Sequence, residues 1–233
     1  MAETQNFFEF ADKGTLQMAA AAWLAERLRD AISRRGIAVF MASGGRTPAP
    51  VYQELAKADL DWSSVAIGLT DERWVDESHP ASNSAMVRET LLSGAASAAH
   101  YIPMKTDEDD AFAAVEALNE AYLDAGLTDV MLLGMGPDEH TLSWFAGGRG
   151  YEDAIDPMNM STVAAVEALE SAVTGPNTLR MTLTQACVAH ARDVLLLITG
   201  KDKRDVFETA APGTALAIMR QAAGKALTTY YTD

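Results

Sequence analysis

Residues 128–148 read T-D-V-M-L-L-G-M-G-P-D-E-H-T-L-S-W-F-A-G-G. The stretch opens on four consecutive apolar residues, Val130 to Leu133, with no polar alternation. A short continuous apolar run suits a strand covered on both faces, and such strands belong to sheets with helices packed on either side. Gly134, Gly136 and Pro137 then end the strand, because glycine and proline favour turns and disrupt a ladder. Asp138, Glu139 and His140 follow at once, so a carboxylate and an imidazole stand at the carboxyl end of a buried strand, where open α/β sheets bind ligands.

Three other segments have the same apolar character: I-A-V-F-M at 37–41, V-A-I-G-L-T at 65–70 and V-L-L-L-I-T at 194–199. Helical spacing fills the intervals. Over 15–35, Leu16, Ala19, Ala20, Trp23, Leu24 and Leu28 recur on one face, Arg27, Arg29 and Asp30 lie away from it, and Gly36 stops the helix. Thr47 reads as an N-cap and Pro48 as the first residue of a helix to about 57. Further helices are expected through Met86, Leu91 and Leu92, over 107–125, from 141 to 145, and after Gly200 through Val206 and Phe207. A last one spans 215–222. Residues 7–10 predict a short edge strand, 101–104 a short strand and 162–167 another. The stretch 176–184 reads as loop then strand, 184–190 as a helical turn, 226–231 as a final strand and 150–159 as loop. Strands alternate with helices, which predicts an α/β class with a mainly parallel sheet flanked by helices on both faces, in one domain over 1–233.

Eighteen Lys and Arg against 33 Asp and Glu leave a net charge of −15. That argues against a nucleic-acid partner, which requires a basic face, but it permits a small anionic substrate where a few cations converge. The single cysteine, Cys187, excludes an intrachain disulfide, fits a reducing cytoplasm and reads as a small core residue beside Ala186 and Val188. The N-terminus lacks a basic segment followed by an apolar block, so no signal peptide is expected. No apolar run approaches a membrane span.

Right-handed crossovers bring the carboxyl ends of successive parallel strands to one edge. Residues 44–47, 71–73, 138–140 and 200–203 should therefore meet on a common rim. Ser43-Gly44-Gly45-Arg46-Thr47 reads either as a tight turn or as an anion cradle, with backbone N–H groups at a helix start and one guanidinium; it is not a Walker A loop, since lysine is absent and the spacing is wrong. Asp71-Glu72-Arg73 reads as a surface ion pair or as part of a site. Arg180, in an apolar and hydroxyl-rich strand, needs an acid or a bound anion as partner. Among four histidines, His100 and His190 have no polar surroundings in sequence, His79 sits in a polar loop, and His140 with Asp138 two residues before it has the makings of a general base near neutral pH. There is no G-x-S-x-G elbow, no H-E-x-x-H and no paired Cys/His spacing, so a water activated directly by His140 is expected ahead of a covalent acyl-enzyme or a metal-activated water.

Four ordered blocks carry a resemblance: S-G-G-R-T-P at 43–48, D-E-R-W-V with H-P-A-S-N over 71–83, L-L-G-M-G-P-D-E-H-T at 132–141, and L-R-M-T-L-T with I-T-G-K-D-K over 179–203. In these the chain resembles the 6-phosphogluconolactonases of the pentose phosphate pathway, in the superfamily that includes glucosamine-6-phosphate deaminases. The resemblance implies a Rossmann-like α/β fold and hydrolysis of 6-phospho-D-glucono-1,5-lactone to 6-phosphogluconate with no metal or cofactor. It implies His140 as catalytic base. It implies Gly44, Gly45, Arg46 and Thr47 with Arg180 and Lys203 as the phosphate and substrate cradle, and Asp71, Arg73, His79 and Asn83 as the rest of the pocket. Either Asp138 or Asp71 orients the imidazole, and Arg73 or backbone N–H groups meet the oxyanion. The expected partner is a phosphorylated sugar lactone, with no nucleic acid or membrane, for a monomer or weak homo-oligomer.

The chain departs from the family pattern in having Glu139 where glycine is usual, and S-W-F-A-G for S-L-F-P-G. A glycine there implies a backbone conformation that glycine tolerates best. Two other readings stand beside lactone hydrolysis: a sugar-phosphate deaminase or isomerase, against which Arg73 stands where those enzymes carry tyrosine, and a non-catalytic sugar-phosphate sensor.

Overall fold

A computed structural model of the protein describes residues 6–233. The first half runs β1 (Asn6–Glu9), α1 (Lys13–Arg35), β2 (Ala38–Ala42), α2 (Pro48–Leu55), β3 (Val65–Leu69), β4 (Asp71–Arg73), α3 (Asn83–Thr90), β5 (His100–Tyr101), α4 (Val115–Asp124) and β6 (Val130–Leu133). The second runs α5 (Tyr151–Ile155), β7 (Val163–Glu167), β8 (Leu179–Leu183), α6 (Gln185–His190), β9 (Asp193–Thr199), α7 (Lys201–Thr209), α8 (Ala215–Ala223) and β10 (Leu227–Thr232).

Seven strands pair in parallel in the order β1-β10-β9-β6-β2-β3-β5. Every residue of β2 and β6 is buried, as continuous apolar runs require when both faces of a sheet are covered. The mainly parallel α/β sheet expected from the alternation of elements is therefore present. Chain direction across the sheet reverses between β2 and β6, whose pairing is limited to Phe40 with Val130 and Met41 with Met131. Beyond that short ladder the two strand ends diverge, which opens a crevice at the topological switch point.

α1 illustrates how sequence becomes packing. Asp12 accepts the Thr15 N–H at 2.8 Å and the Thr15 side chain returns to the Asp12 N–H, a capping box that starts the helix two residues before the expected position 15. Gly36 closes it in the left-handed region at φ 79°. Leu16, Ala20, Leu24 and Leu28 are fully buried against the sheet, each leucine contributing on the order of 1.5–3 kcal/mol.

Several expectations are corrected. A second sheet, antiparallel and three-stranded in the order β4-β8-β7, was not anticipated: residues 162–167, 71–73 and the strand before 184 all belong to it rather than to the main sheet. The helix expected over 107–125 forms only as α4. The Asp110 carboxylate takes the Phe112 N–H at 3.0 Å and i to i+3 bonds close at Ala113 and Ala114, so side chain and turn compete with the first helical turns. No helix begins at 141: Leu142 is left-handed at φ 52° and the Ser143 N–H turns to the Thr182 hydroxyl of β8 at 3.2 Å. The loop expected at 150–159 contains α5, and the strand expected at 101–104 shrinks to β5.

Candidate active site

The loops after β2 and β6 and the facing ends of β4 and β8 enclose a cavity of 380 Å³. Gly44, Gly45, Arg46, Thr47, Asp71, Arg73, Asn83, His140, Arg180 and Lys203 all line it. The cavity thus brings together ten of the twelve residues singled out from sequence, some from the rim of the parallel sheet and Asp71, Arg73 and Arg180 from the antiparallel one. His79 and Asp138 are the two outside the lining.

His140 is held on three sides. Its Nδ1 lies 2.5 Å from Asp138 Oδ1. An ionised carboxylate only accepts, so Nδ1 carries the proton and Nε2 of the neutral ring keeps its lone pair; Nε2 has no hydrogen-bond partner among the described residues. Phe145 lies against the ring with centroids 4.4 Å apart and planes 31° apart. Gly136 provides the third side, because a Cβ there would overlap the imidazole and the Asp138 carboxylate. Burial works to raise the Asp138 pKa, but the hydrogen bond and charge of His140 outweigh it and the carboxyl sits below its ordinary range. The choice between Asp138 and Asp71 as the partner of the imidazole therefore falls to Asp138.

Asp71 is engaged elsewhere. Its Oδ2 accepts the Ser143 hydroxyl at 2.7 Å, and Arg180 Nη1 reaches the same hydroxyl at 3.4 Å. Arg180 is 3% exposed and also donates to the Asn177 and Thr174 carbonyls at 3.1 and 2.8 Å. Burial lowers its pKa, and the Asp71 carboxylate works against that shift. Arg73 stands directly across the antiparallel ladder from Arg180. It donates to the Ala81 carbonyl at 2.7 Å, while its buried Nε has no partner. Like charges opposed on a ladder are destabilising, so this pair calls for an anion. Lys203, in the first turn of α7, has its pKa lowered by burial and then by Arg46 close by, with Asp138 opposing. Four cations thus converge on one cavity whose only lining carboxylate among the described residues is Asp71, a local reversal of the −15 net charge.

The glycine loop is built as an approach surface. A Cβ on Gly44 would collide with the Asn83 carboxamide, and Gly45 has φ 104°. Tyr52 pins the loop from below by donating to the Ser43 carbonyl at 2.8 Å. Thr47 occupies the N-cap position but is itself helical (φ −70°, ψ −45°) and makes no capping bond, so its expected capping role is not realised and its hydroxyl is uncommitted at the cavity.

His79 is corrected from a pocket position. It is exposed, and its Nδ1 accepts the Ala81 N–H at 3.1 Å, which shapes the turn whose Ala81 carbonyl receives Arg73. Sequence reasoning also passed over Glu72. This carboxylate is 2% exposed and accepts from the N–H groups of Arg73, Asn83 and Ser84 at 2.8, 2.8 and 2.7 Å and from the Ser82 hydroxyl at 3.1 Å. It caps α3 from another element and sets Asn83 in place; burial raises its pKa while those bonds oppose the rise. Its place between two site residues was the only sequence signal. Among the described residues no three His, Cys, Asp or Glu side chains converge as metal ligands, and no helix is long and apolar enough to cross a membrane.

Comparison with known proteins agrees with this geometry. Residues 11–222 match the family described as Glucosamine-6-phosphate isomerases/6-phosphogluconolactonase. A protein named 6-phosphogluconolactonase from Mesorhizobium japonicum is 36% identical over 212 residues, covering 89% of this chain and 86% of its own length. One of the same name from Neisseria meningitidis is 39% identical over 195 residues, covering 82% and 81%. The crystal structure of a 6-phosphogluconolactonase from Shewanella baltica matches at a TM-score of 0.91 and 30% identity, covering 100% of both chains. The resemblance carried by the four ordered blocks extends over nearly the whole chain, and the protein belongs to the glucosamine-6-phosphate isomerase/6-phosphogluconolactonase family.

Proposed function

We propose that this protein hydrolyses 6-phospho-D-glucono-1,5-lactone to 6-phosphogluconate, the activity named for its 36–39% identical relatives. The observation that carries the mechanism is an imidazole with Nδ1 bound to Asp138 and Nε2 free, at a cavity lined by Arg46, Arg73, Arg180 and Lys203. His140 Nε2 takes a proton from water as the water oxygen bonds to the lactone carbonyl carbon. The tetrahedral oxyanion is met by a guanidinium, for which Arg73 with its unpartnered Nε is suited. Collapse breaks the bond to the ring oxygen, which takes the proton back from the imidazolium. The opened acid then ionises, so each turnover releases one proton. The remaining cations and the Gly44–Gly45 turn hold the phosphate, and Asp71 keeps Arg180 in place through Ser143.

The water is activated by His140 directly, with no metal. The protein acts in the cytoplasm, as a monomer or weak homo-oligomer, on a free sugar phosphate rather than on nucleic acid. The test is a lactonase rate on freshly generated substrate with a spontaneous-hydrolysis blank. His140→Ala should lose on the order of 10²–10⁴ in turnover at similar substrate affinity. Near-native turnover in that variant would overturn the general-base role, and ammonia release from glucosamine 6-phosphate by the wild type would replace the reaction with a deaminase's.

A further inference from the structure

His140 lines two cavities. One is the cationic cavity of 380 Å³, and the other is a chamber of 430 Å³ bounded by Asp138, Glu139, Phe145, Leu169 and the start of α8 at Thr214. Phe145 lines only the second. It is 8% exposed, and it supports the imidazole from the side away from the substrate cavity at 4.4 Å. The same ring carries the Arg180 guanidinium carbon 5.0 Å from its centroid. Phe145 is therefore in contact with both the imidazole and the most buried cation of the site. The loop carrying it is fixed by the two residues before it: Ser143 is bound to Thr182 and Asp71, and the indole N–H of Trp144, fully buried, donates to the Leu183 carbonyl at 2.9 Å.

We infer that Phe145 is a positioning residue for the reaction proposed above, on which this inference rests: its aromatic face fixes the plane of His140, favours the imidazolium formed during turnover, and keeps that cation at a set distance from Arg180. An aromatic π-face attracts a cation, most strongly where water is excluded. The neutral imidazole gains packing from the contact, while the imidazolium gains packing and electrostatic attraction. The contact thus favours the protonated form that the transition state develops, and it does so without touching the substrate. Arg180 draws on the same quadrupole and holds the ring against β8, so the ring cannot follow His140 if the catalytic turn shifts. Other charges around the imidazole are Asp138 and Glu139 on its own turn, Arg180 on β8, Lys203 on α7 near Asp138, and Arg46 near Lys203. Of these only Arg180 touches Phe145, and the tyrosine variant, which keeps the ring under that guanidinium, controls for its displacement.

The experiment compares wild type with Phe145→Leu and Phe145→Tyr. His140 is titrated by NMR through its ring Cε1–H, and the pH dependence of kcat/KM is measured on fresh lactone. Phe145→Leu, which keeps the bulk and removes the π-face, should move the acid limb of kcat/KM and the Cε1–H titration to lower pH than in wild type. It should lower kcat several-fold, with KM changed less than about twofold, as expected for lost alignment of a general base. Phe145→Tyr should restore both. A Phe145→Leu protein that folds with an unshifted His140 titration would overturn the inference, as would a Tyr variant as impaired as the Leu variant. The NMR titration needs no turnover, so a wild type without lactonase activity would refute the proposed function while leaving the Phe145–His140 coupling separately readable.

Discussion

Replacing Glu139 by glycine should stabilise the protein. Glu139 has φ 65°, in the left-handed region, where a residue with a Cβ bears a penalty of about 1–2 kcal/mol. Its Oε2 is buried without a hydrogen-bond partner, and an unsatisfied buried polar atom costs about 1–3 kcal/mol. The residue is held there because its carbonyl accepts the Leu216 N–H of α8 at 3.0 Å, and Asp138 and His140 on either side are bound to each other. Glycine keeps that carbonyl and removes both penalties, offset by about 0.5–1 kcal/mol of extra unfolded-state entropy. The net gain is then about 1–4 kcal/mol, and each kcal/mol raises the midpoint of a protein this size by roughly 2–4 °C. Calorimetric melting of wild type, Glu139→Gly and Glu139→Ala separates the causes. Alanine removes the orphaned oxygen and keeps the strained backbone, so it should recover less than glycine. Lactonase turnover should stay within about twofold, because Glu139 does not line the substrate cavity. An alanine variant as stable as the glycine variant, or a glycine variant less stable than wild type, would refute the backbone argument.

Other positions give sharper losses. Gly136→Ala should cut lactonase turnover on the order of 10²-fold or more by displacing the general base, since the added methyl would overlap the imidazole; turnover close to wild type would show that the turn can relax. Asp138→Asn should lower turnover by on the order of 10² through loss of the oriented tautomer. It should also flatten one acid limb: the folded Asp138 pKa is depressed, so its stabilising contribution is present above the unfolded value of about 3.9 and is lost as pH falls through the lower folded value. Urea midpoints between pH 3 and 6 for wild type and Asp138→Asn would check this, and identical pH profiles would contradict it. Cys187, whose thiol burial pushes up to about 11, should react with a disulfide reagent at pH 8 far more slowly in the folded protein than in urea; equal rates would mean the thiol is not held as the fold implies.

The chain announces its main sheet through local pattern. Short unbroken apolar runs at β2, β3, β6 and β9 are legible because a strand buried on both faces leaves no room for polar alternation. Parallel connections then oblige their carboxyl ends, with Arg46, His140 and Lys203, to share an edge. The second sheet is not legible in this way. β4 and β8 are short and carry Glu72, Arg73 and Arg180, whose polar groups are met by partners outside their own strands: the α3 N-terminus for Glu72, the Ala81 carbonyl for Arg73, and Ser143 with the Thr174 carbonyl for Arg180. The failed helix at 141–145 has the same origin, since the Ser143 N–H bonds to Thr182 of β8 instead of closing a helical turn.

Residue types and their order, read alone, were sufficient for the class of fold, which follows from periodicity and turn chemistry, and for the family resemblance, which rests on motifs local in the chain and implied most of the residues that surround the cavity. Only the tertiary structure decided that Asp138 rather than Asp71 holds His140, that His79 stands outside the cavity, and that Glu139 takes a left-handed backbone with a buried, unpartnered oxygen. Those are outcomes of side chains competing for partners across elements, where a hydrogen bond made by one group is denied to another. No local pattern encodes which competitor wins.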